Sequence, residues 1–228
     1  MLELDGLTRR FGDLVALDDL TFSVVPGRMC GFVGPNGAGK TTAMRIVLGV
    51  LEPDAGAVRW NGAPVDAPTR ARFGYMPEER GLYQKMRVRD QLVYFARLHG
   101  LPEAEAGAAA DRWIGRLGLD ERAGDRVEEL SLGNQQRVQL GIALVHEPEV
   151  LVLDEPFSGL DPVGVDVMSG VLRERADAGV PVVFSSHQLE LVERLCEDGP
   201  LAARIYRGGV LRTGAALKLR DARRAARA

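Results

Sequence analysis

Only three lysines, Lys40, Lys85 and Lys218, occur in the 228 residues, although lysine and arginine together number 29. The bias toward arginine and alanine reads as genome composition rather than chemistry. Neither charge sign dominates: 32 acidic residues against 29 basic ones leave a net charge of −3. That argues against a general nucleic-acid binder, which needs a broadly basic surface. Cysteine is nearly absent. Cys30 and Cys196 lie far apart with no C-x-x-C spacing, which excludes a thiolate metal site and a disulfide framework. Both sit among apolar neighbours and read as small buried residues in a reducing compartment. Long hydrophobic runs are missing too, since none approaches the ~18 residues needed to span a bilayer. The opening Met1-Leu2-Glu3-Leu4-Asp5 lacks the basic-then-apolar order of a signal peptide. These absences predict a cytoplasmic protein that meets a membrane only through a partner. There is no internal repeat.

What is present points to one globular unit. Hydrophobic residues make up 46% and charged residues 27% of the chain, ordinary values for a soluble domain with one substantial core. Alternation through Leu2 and Leu4, then Leu20, Phe22 and Val24, predicts half-buried antiparallel strands. Met29–Val33 reads as a short buried strand, and Thr42 to Val50 as a helix with Met44, Val47, Leu48 and Leu51 at helical spacing. Ala57–Trp60 followed by Asn61-Gly62 predicts a hairpin, and Phe73–Met76 another buried strand.

From about Val88 to Val145 the pattern is helical. Leu92, Phe95, Ala96 and Leu98 are expected on one face, then Trp113, Ile114 and Leu117, then Val138, Ile142 and Val145. Gly100-Leu101-Pro102 separates the first two helices. Val150–Leu153 and Val180–Phe184 are continuous apolar runs, as in central parallel strands covered on both faces. The fold class is therefore α/β: a mainly parallel central sheet, an antiparallel β part about 1–28 and 57–72, and a helical insertion about 86–146. His99 and His146 read as cations near helix C-termini. Trp60, Trp113, Met44, Met76 and Met86 read as packing residues, and Lys218 to Ala228 as a solvated helix end.

The most informative stretch is Gly34-Pro35-Asn36-Gly37-Ala38-Gly39-Lys40-Thr41, a G-x-x-x-x-G-K-T pattern between a buried strand and a helix. Small residues let successive backbone N–H groups surround phosphate oxygens, and the following helix points its positive end at them. Lys40 would reach the outer phosphates and Thr41 would hold Mg²⁺, and Thr42 is counted with the nucleotide-binding residues. A nucleoside triphosphate is the implied ligand. Val150-Leu151-Val152-Leu153-Asp154-Glu155 ends an apolar strand in two carboxylates. Ligands of open parallel sheets bind beyond the carboxyl ends of the strands, so Asp154 would meet Mg²⁺ beside Thr41. Glu155 is placed to polarise a water against the γ-phosphate.

Leu130-Ser131-Leu132-Gly133-Asn134-Gln135-Gln136-Arg137 precedes that strand, and Ser131 is a natural N-cap for a helix Gly133–Val145. This stretch resembles the L-S-G-G-Q signature of ABC-type ATPases. Ser131, Gly133 and Gln135 carry the likeness; Leu132 and Asn134 depart from it. Other landmarks follow in the family's order, covering the chain to about Thr213. Ser158-Gly159-Leu160-Asp161 resembles the D-loop, and Ser185-Ser186-His187 the switch histidine. Phe11 is similar to the aromatic that stacks on adenine. Met76-Pro77-Glu78-Glu79-Arg80-Gly81-Leu82-Tyr83 resembles the Q-loop, with Glu78 where most members have Gln. That wording, with Ser131–Gln139, is similar to an exporter subgroup handling drugs, sodium ions, lipids or polysaccharides.

The resemblance implies a P-loop ATPase using ATP and Mg²⁺. Two subunits, homo- or heterodimeric, would join head to tail, each ATP enclosed by the Lys40 loop of one and by Ser131, Gly133, Asn134 and Gln135 of the other. Glu155 would be general base, His187 would steady the γ-phosphate, Glu78 would contact the metal and Asp161 would communicate across the dimer. The partner would be a transmembrane permease docking near Glu78 to Arg87, at the inner face of the cell membrane. Two alternatives remain: a non-transport ABC ATPase of translation or DNA repair, and a non-hydrolysing heterodimer partner. The Asp198–Tyr206 stretch departs from the family and predicts a weakened edge strand, with no regulatory domain after Thr213-Gly214.

Overall fold

The computed structural model describes residues 1–196 and the two short strands Arg204–Ile205 and Leu211–Arg212. The remainder of the divergent 198–206 stretch and the Lys218 to Ala228 tail lie outside the described residues.

Two sheets face each other. The first begins with β1 (Leu2–Phe11) and β2 (Leu14–Val24), which pair antiparallel with Leu4 opposite Phe22 and Leu7 opposite Leu20. Leu2, Leu4, Leu7, Leu17, Leu20, Phe22 and Val24 are buried, and a register shift between Leu4 and Leu7 keeps Leu7 inside although it is three residues on. After β3 (Met29–Val33) and α1 (Lys40–Val47), β4 (Ala55–Trp60) returns to pair antiparallel with β1. It turns through Asn61-Gly62, both at positive φ, into β5 (Ala63–Pro64). The short helix α2 (Ala67–Arg70) starts at Asp66, whose carboxylate accepts from the Thr69 N–H. Hydrogen bonding from Thr69, its side chain first and then its N–H, holds the Asp66 carboxyl below its usual range.

The second sheet is parallel throughout. It contains β3, β6 (Phe73–Met76), β7 (Val150–Leu153), β8 (Val182–Ser186) and β9 (Arg204–Ile205), in the order β6-β7-β8-β3-β9. All four residues of β7 and all five of β8 are buried. Strand β8 begins two residues later than the apolar run and takes in Ser185 and Ser186, because both hydroxyls find partners inside. Strand β10 (Leu211–Arg212) adds parallel to β2 at the edge of the first sheet.

Helix α1 lies between the sheets. Ala43, Met44, Ile46 and Val47 are buried in one cluster with Leu4, Leu17 and Phe22 of the first sheet and Phe32 and Val152 of the second. Complete burial of Met44 alone is worth about 1.5–3 kcal/mol. The helix ends at Val47 rather than Val50, with Gly49 just beyond in the left-handed region.

The helical part comprises α3 (Val88–Leu98), α4 (Glu103–Arg116) and α5 (Leu132–Leu144). Val88, Leu92, Ala96, Trp113, Ile114, Leu117, Val138 and Val145 form the core, with Phe95 and Ile142 partly buried against it. Leu98, expected on that face, is 62% exposed, since six residues past Leu92 it has rotated to the far side. Helix α5 passes under the parallel sheet at Gly74. A Cβ there would lie 2.2 Å from the Ala143 carbonyl oxygen, so the close approach requires glycine. Beyond β7, α6 (Pro162–Asp177) and α7 (Leu189–Leu195) flank β8. Cys30 and Cys196 are buried and share no disulfide, and burial pushes the Cys196 thiol up to about 12.

Candidate functional site

A cavity of about 410 Å³ opens where β3 passes into α1, beyond the carboxyl ends of the parallel strands. Asn36, Gly37, Ala38, Gly39, Lys40, Thr41 and Thr42 form its floor, with Phe11, Leu14 and Ala16 on one side and Glu78, Asp154 and Glu155 on the other. Of the expected phosphate-loop residues only Gly34 and Pro35 stand behind the lining. The loop needs its glycines: Gly37 and Gly39 have φ of 81° and 84°, and Gly39 is the N-cap of α1. A Cβ on Gly39 would sit 2.3 Å from the Ala16 carbonyl oxygen. The same close packing therefore seats the loop against β2.

Lys40 is 6% exposed. Its ammonium donates to the Gly34 carbonyl at 2.7 Å and the Pro35 carbonyl at 3.3 Å, and forms an ion pair with Glu155 Oε1 at 3.6 Å. Asp154 directly follows β7 and is 1% exposed. Its Oδ1 accepts a 2.6 Å hydrogen bond from Ser185 Oγ, while Oδ2 is buried without a hydrogen-bond partner. Next to it Tyr75 has its hydroxyl pushed above the ordinary value, mainly by burial and then by the Asp154 charge. Glu155 has φ 48°, and its Oε2 lies 3.0 Å from His187 Nδ1. The His187 ring is otherwise open to solvent, with its side chain 55% exposed.

The donors present suit a hard divalent cation, which takes oxygen ligands. Thr41 and Glu78 line the cavity with Asp154, whose buried Oδ2 has no other partner. No group of three or more His, Cys, Asp or Glu ligands exists among the described residues, so phosphate oxygens and water would complete the shell. Phe11 is 46% exposed at the cavity's edge, with the Arg9 guanidinium 4.9 Å from its ring centroid. A flat heterocycle can stack there.

The other expected residues lie elsewhere. Ser131 caps α5, its Oγ accepting from the Asn134 N–H at 3.3 Å, and Gly133 rests against Leu160 and the Gly159 carbonyl. The Gln135 amide turns inward and donates to the carbonyls of Val127 and Leu130. Asp161 caps α6 by accepting from the Gly164 N–H at 2.8 Å. None of these lines the cavity. They form a second surface on the same chain, with Leu132 59% exposed beside Ser131.

Three buried groups escaped the sequence reading. Ser185 joins Asp154 to the Glu155 backbone, Gln136 donates to the carbonyls of Glu155 and Pro156, and Gln139 donates to those of Pro77 and Glu79. Two amides one turn apart on an otherwise apolar helix face were the available signal. His99 and His146 also pair, with ring centroids 3.6 Å apart and planes 5° from parallel. This corrects the expectation of cations. Burial first, then the neighbouring His99, drives His146 down to about 4, and burial lowers His99.

No helix among the described residues is long and apolar enough to cross a membrane. The family model described as ABC transporter matches residues 17–158. An uncharacterized ABC transporter ATP-binding protein of Bacillus subtilis is 48% identical over 87% of this chain and 66% of its own length. One from Methanocaldococcus jannaschii is 40% identical over 86% of this chain and 71% of its own. The Nod factor export ATP-binding protein I of Burkholderia thailandensis is 40% identical over 86% and 65%. The chain thus spans about two thirds of the curated relatives it matches. A solved ATP binding subunit of an ABC transporter superposes with TM-score 0.83 at 31% identity, covering 99% of this chain and 92% of that one. A phosphate loop, a paired carboxylate and histidine at the strand ends, and a capped helix outside the cavity lining agree with these matches: the chain belongs to the ABC transporter family of ATP-binding domains.

Proposed function

We propose that this chain is the ATP-hydrolysing subunit of an ABC exporter, working at the inner face of the cell membrane through a separate transmembrane permease. The observation that carries the reading is the single cavity holding the Lys40 loop, Asp154 and Glu155, with His187 hydrogen-bonded to the last. ATP enters with its base on Phe11 and its phosphates in the loop. Lys40 leaves the Gly34 and Pro35 carbonyls for the outer phosphates. Bound Mg²⁺, held by Thr41 and Asp154 with Glu78 nearby, would neutralise phosphate charge. Glu155 takes the proton of the attacking water at Oε1, the oxygen not engaged by His187, and His187 steadies the carboxylate and the γ-phosphate.

The Ser131–Gln135 surface cannot serve the cavity of its own chain. It would therefore close over the ATP of a second subunit, making nucleotide part of a head-to-tail interface, so that binding favours closure and hydrolysis release. Tyr83, Tyr94 and Phe95 cluster beside the Glu78 to Arg87 segment, with Tyr83 52% and Tyr94 39% exposed. Aromatic anchors of this kind suit the permease contact. The relative named for Nod factor export supports that direction. The test is Mg²⁺-dependent ATP turnover by the full chain, with co-purification of a co-expressed neighbouring-gene membrane protein. A chain that binds no nucleotide, or never associates with a membrane subunit, overturns the reading.

A further inference from the structure

Glu155 holds an unfavourable backbone. At φ 48° it is one of four non-glycine residues in the left-handed region among the described residues, where an L residue without local compensation is strained. Such conformations persist only when the surroundings over-determine them, and they concentrate where geometry matters to function. Here both polar groups of the Glu155 peptide are held by buried side chains from different elements. Its N–H donates to Ser185 Oγ at 2.7 Å, and its carbonyl accepts from Gln136 Nε2 at 3.2 Å. Ser185 is 0% exposed and Gln136 2% exposed.

The hydroxyl of Ser185 has one proton to give, and it goes to Asp154 Oδ1 at 2.6 Å. Its lone pair therefore takes the Glu155 N–H, and one oxygen ties the two neighbouring carboxylate residues into a single unit. Asp154 Oδ2 and Glu155 Oε1 are left without a hydrogen-bond partner, the latter 3.6 Å from the Lys40 ammonium. Gln136 fastens the other side by also donating to the Pro156 carbonyl at 3.0 Å, bridging the peptide that leaves the strand. It stands on α5, one turn beyond the Ser131 cap.

Resting on the proposed ATPase reading, we infer that Ser185 and Gln136 are positioning residues for hydrolysis. Ser185 sets Asp154 Oδ2 and Glu155 Oε1 relative to each other, and Gln136 locks the turn that presents Glu155. Neither touches nucleotide. Without Ser185 the Glu155 N–H loses its buried acceptor and can relax toward a right-handed backbone, which swings the carboxylate away from the water. A shift of about 1 Å costs on the order of 100-fold in rate, and partners that orient metal ligands are worth about 10- to 100-fold in metal affinity or activity.

The test compares Ser185→Ala, Ser185→Thr and Gln136→Met in the full chain assembled with its membrane subunit. It measures steady-state ATP turnover, the Mg²⁺ concentration giving half-maximal rate, binding of a fluorescent non-hydrolysable ATP analogue and thermal midpoint. For Ser185→Ala the expected result is a kcat about 10- to 100-fold lower, a raised Mg²⁺ requirement and analogue affinity within about threefold of wild type. Ser185→Thr keeps the hydroxyl and restores most of the rate. Gln136→Met lowers kcat by at least about tenfold with the Mg²⁺ requirement unchanged. The inference is overturned if Ser185→Ala turns over at the wild-type rate. It is equally overturned if rate, analogue binding and thermal midpoint fall together and Thr rescues none of them. A wild-type assembly that binds the analogue but never hydrolyses ATP defeats the ATPase reading instead.

Discussion

Lys40 and Glu155 are oppositely charged, both nearly buried, and 3.6 Å apart, so each is the other's counter-ion. Removing the charge of Glu155 leaves the ammonium anchored by two carbonyl oxygens alone. A phosphate then gains an unopposed cation. Glu155→Gln is therefore expected to bind ATP at least as tightly as wild type while losing turnover by at least about 1,000-fold, through loss of the base that activates water. With ATP and Mg²⁺ the variant should accumulate as a dimer. Light scattering checks this, and a monomer at saturating ATP would contradict the enclosed-nucleotide arrangement.

Ser131 offers a second test, because its chain's own cavity does not include it. Ser131→Arg places a bulky cation at the α5 N-terminus, where the helix dipole also disfavours positive charge. Loss of the cap costs about 1 kcal/mol of stability, so the fold should survive. ATP binding to the isolated monomer is expected to stay within about twofold of wild type, whereas turnover of the assembled complex falls at least about 100-fold. Equal losses in monomer binding and in turnover would place Ser131 at its own chain's nucleotide instead.

What could be read from the chain was local, and what could not was relational. The Gly34 to Thr41 loop and the Val150–Leu153 strand are contiguous, so their spacing alone brings out phosphate cradle and carboxylates. Ser131 as an N-cap was legible for the same reason. Leu98 was misplaced because its apolar type groups it with Leu92, although six residues on its side chain leaves that face. Ser185 reaches Asp154 and Glu155 across 31 and 30 positions, and Gln136 reaches Glu155 across 19. No periodicity records such pairings, since they arise only when the strands and α5 pack. His146 follows the same logic: a helix C-terminus favours a cation, but the ring lies buried on another histidine.

The crossing of α5 under β6 rests on Gly74. An added methyl would meet the Ala143 carbonyl oxygen at 2.2 Å, Leu151 Cδ2 at 2.8 Å and Pro148 Cγ at 2.9 Å. Side chains can give way, but a helical carbonyl cannot without moving α5. Gly74→Ala should therefore cost about 1–3 kcal/mol, the usual penalty of overpacking. Denaturant unfolding of the full chain measures it. Because α5 carries both the Ser131 cap and Gln136, turnover should fall further than stability alone explains. A variant as stable as wild type would show the crossing to be looser than the contacts indicate.

His146 makes stability depend on pH in a known direction. In the unfolded chain its pKa is near the ordinary 6.5, and in the fold it is driven down to about 4 by burial and by His99. Above pH 6.5 the ring is neutral in both states and costs nothing. As pH falls from 6.5 to 4 the unfolded chain binds the proton first, so the folded state loses stability through that window and loses no more below it. The full shift corresponds to about 3 kcal/mol, and with water reaching part of the ring about 2 kcal/mol is expected. His146→Phe keeps a flat ring against His99, removes the titration and forgoes only the hydrogen bond that Nε2 donates to the Phe73 carbonyl. Unfolding free energies measured at pH 7 and pH 4.5 should therefore differ less in the variant than in wild type, by about 1–2 kcal/mol. If both proteins lose the same amount, the acid sensitivity belongs to the carboxylates, and the stacked pair is as readily charged in the fold as outside it.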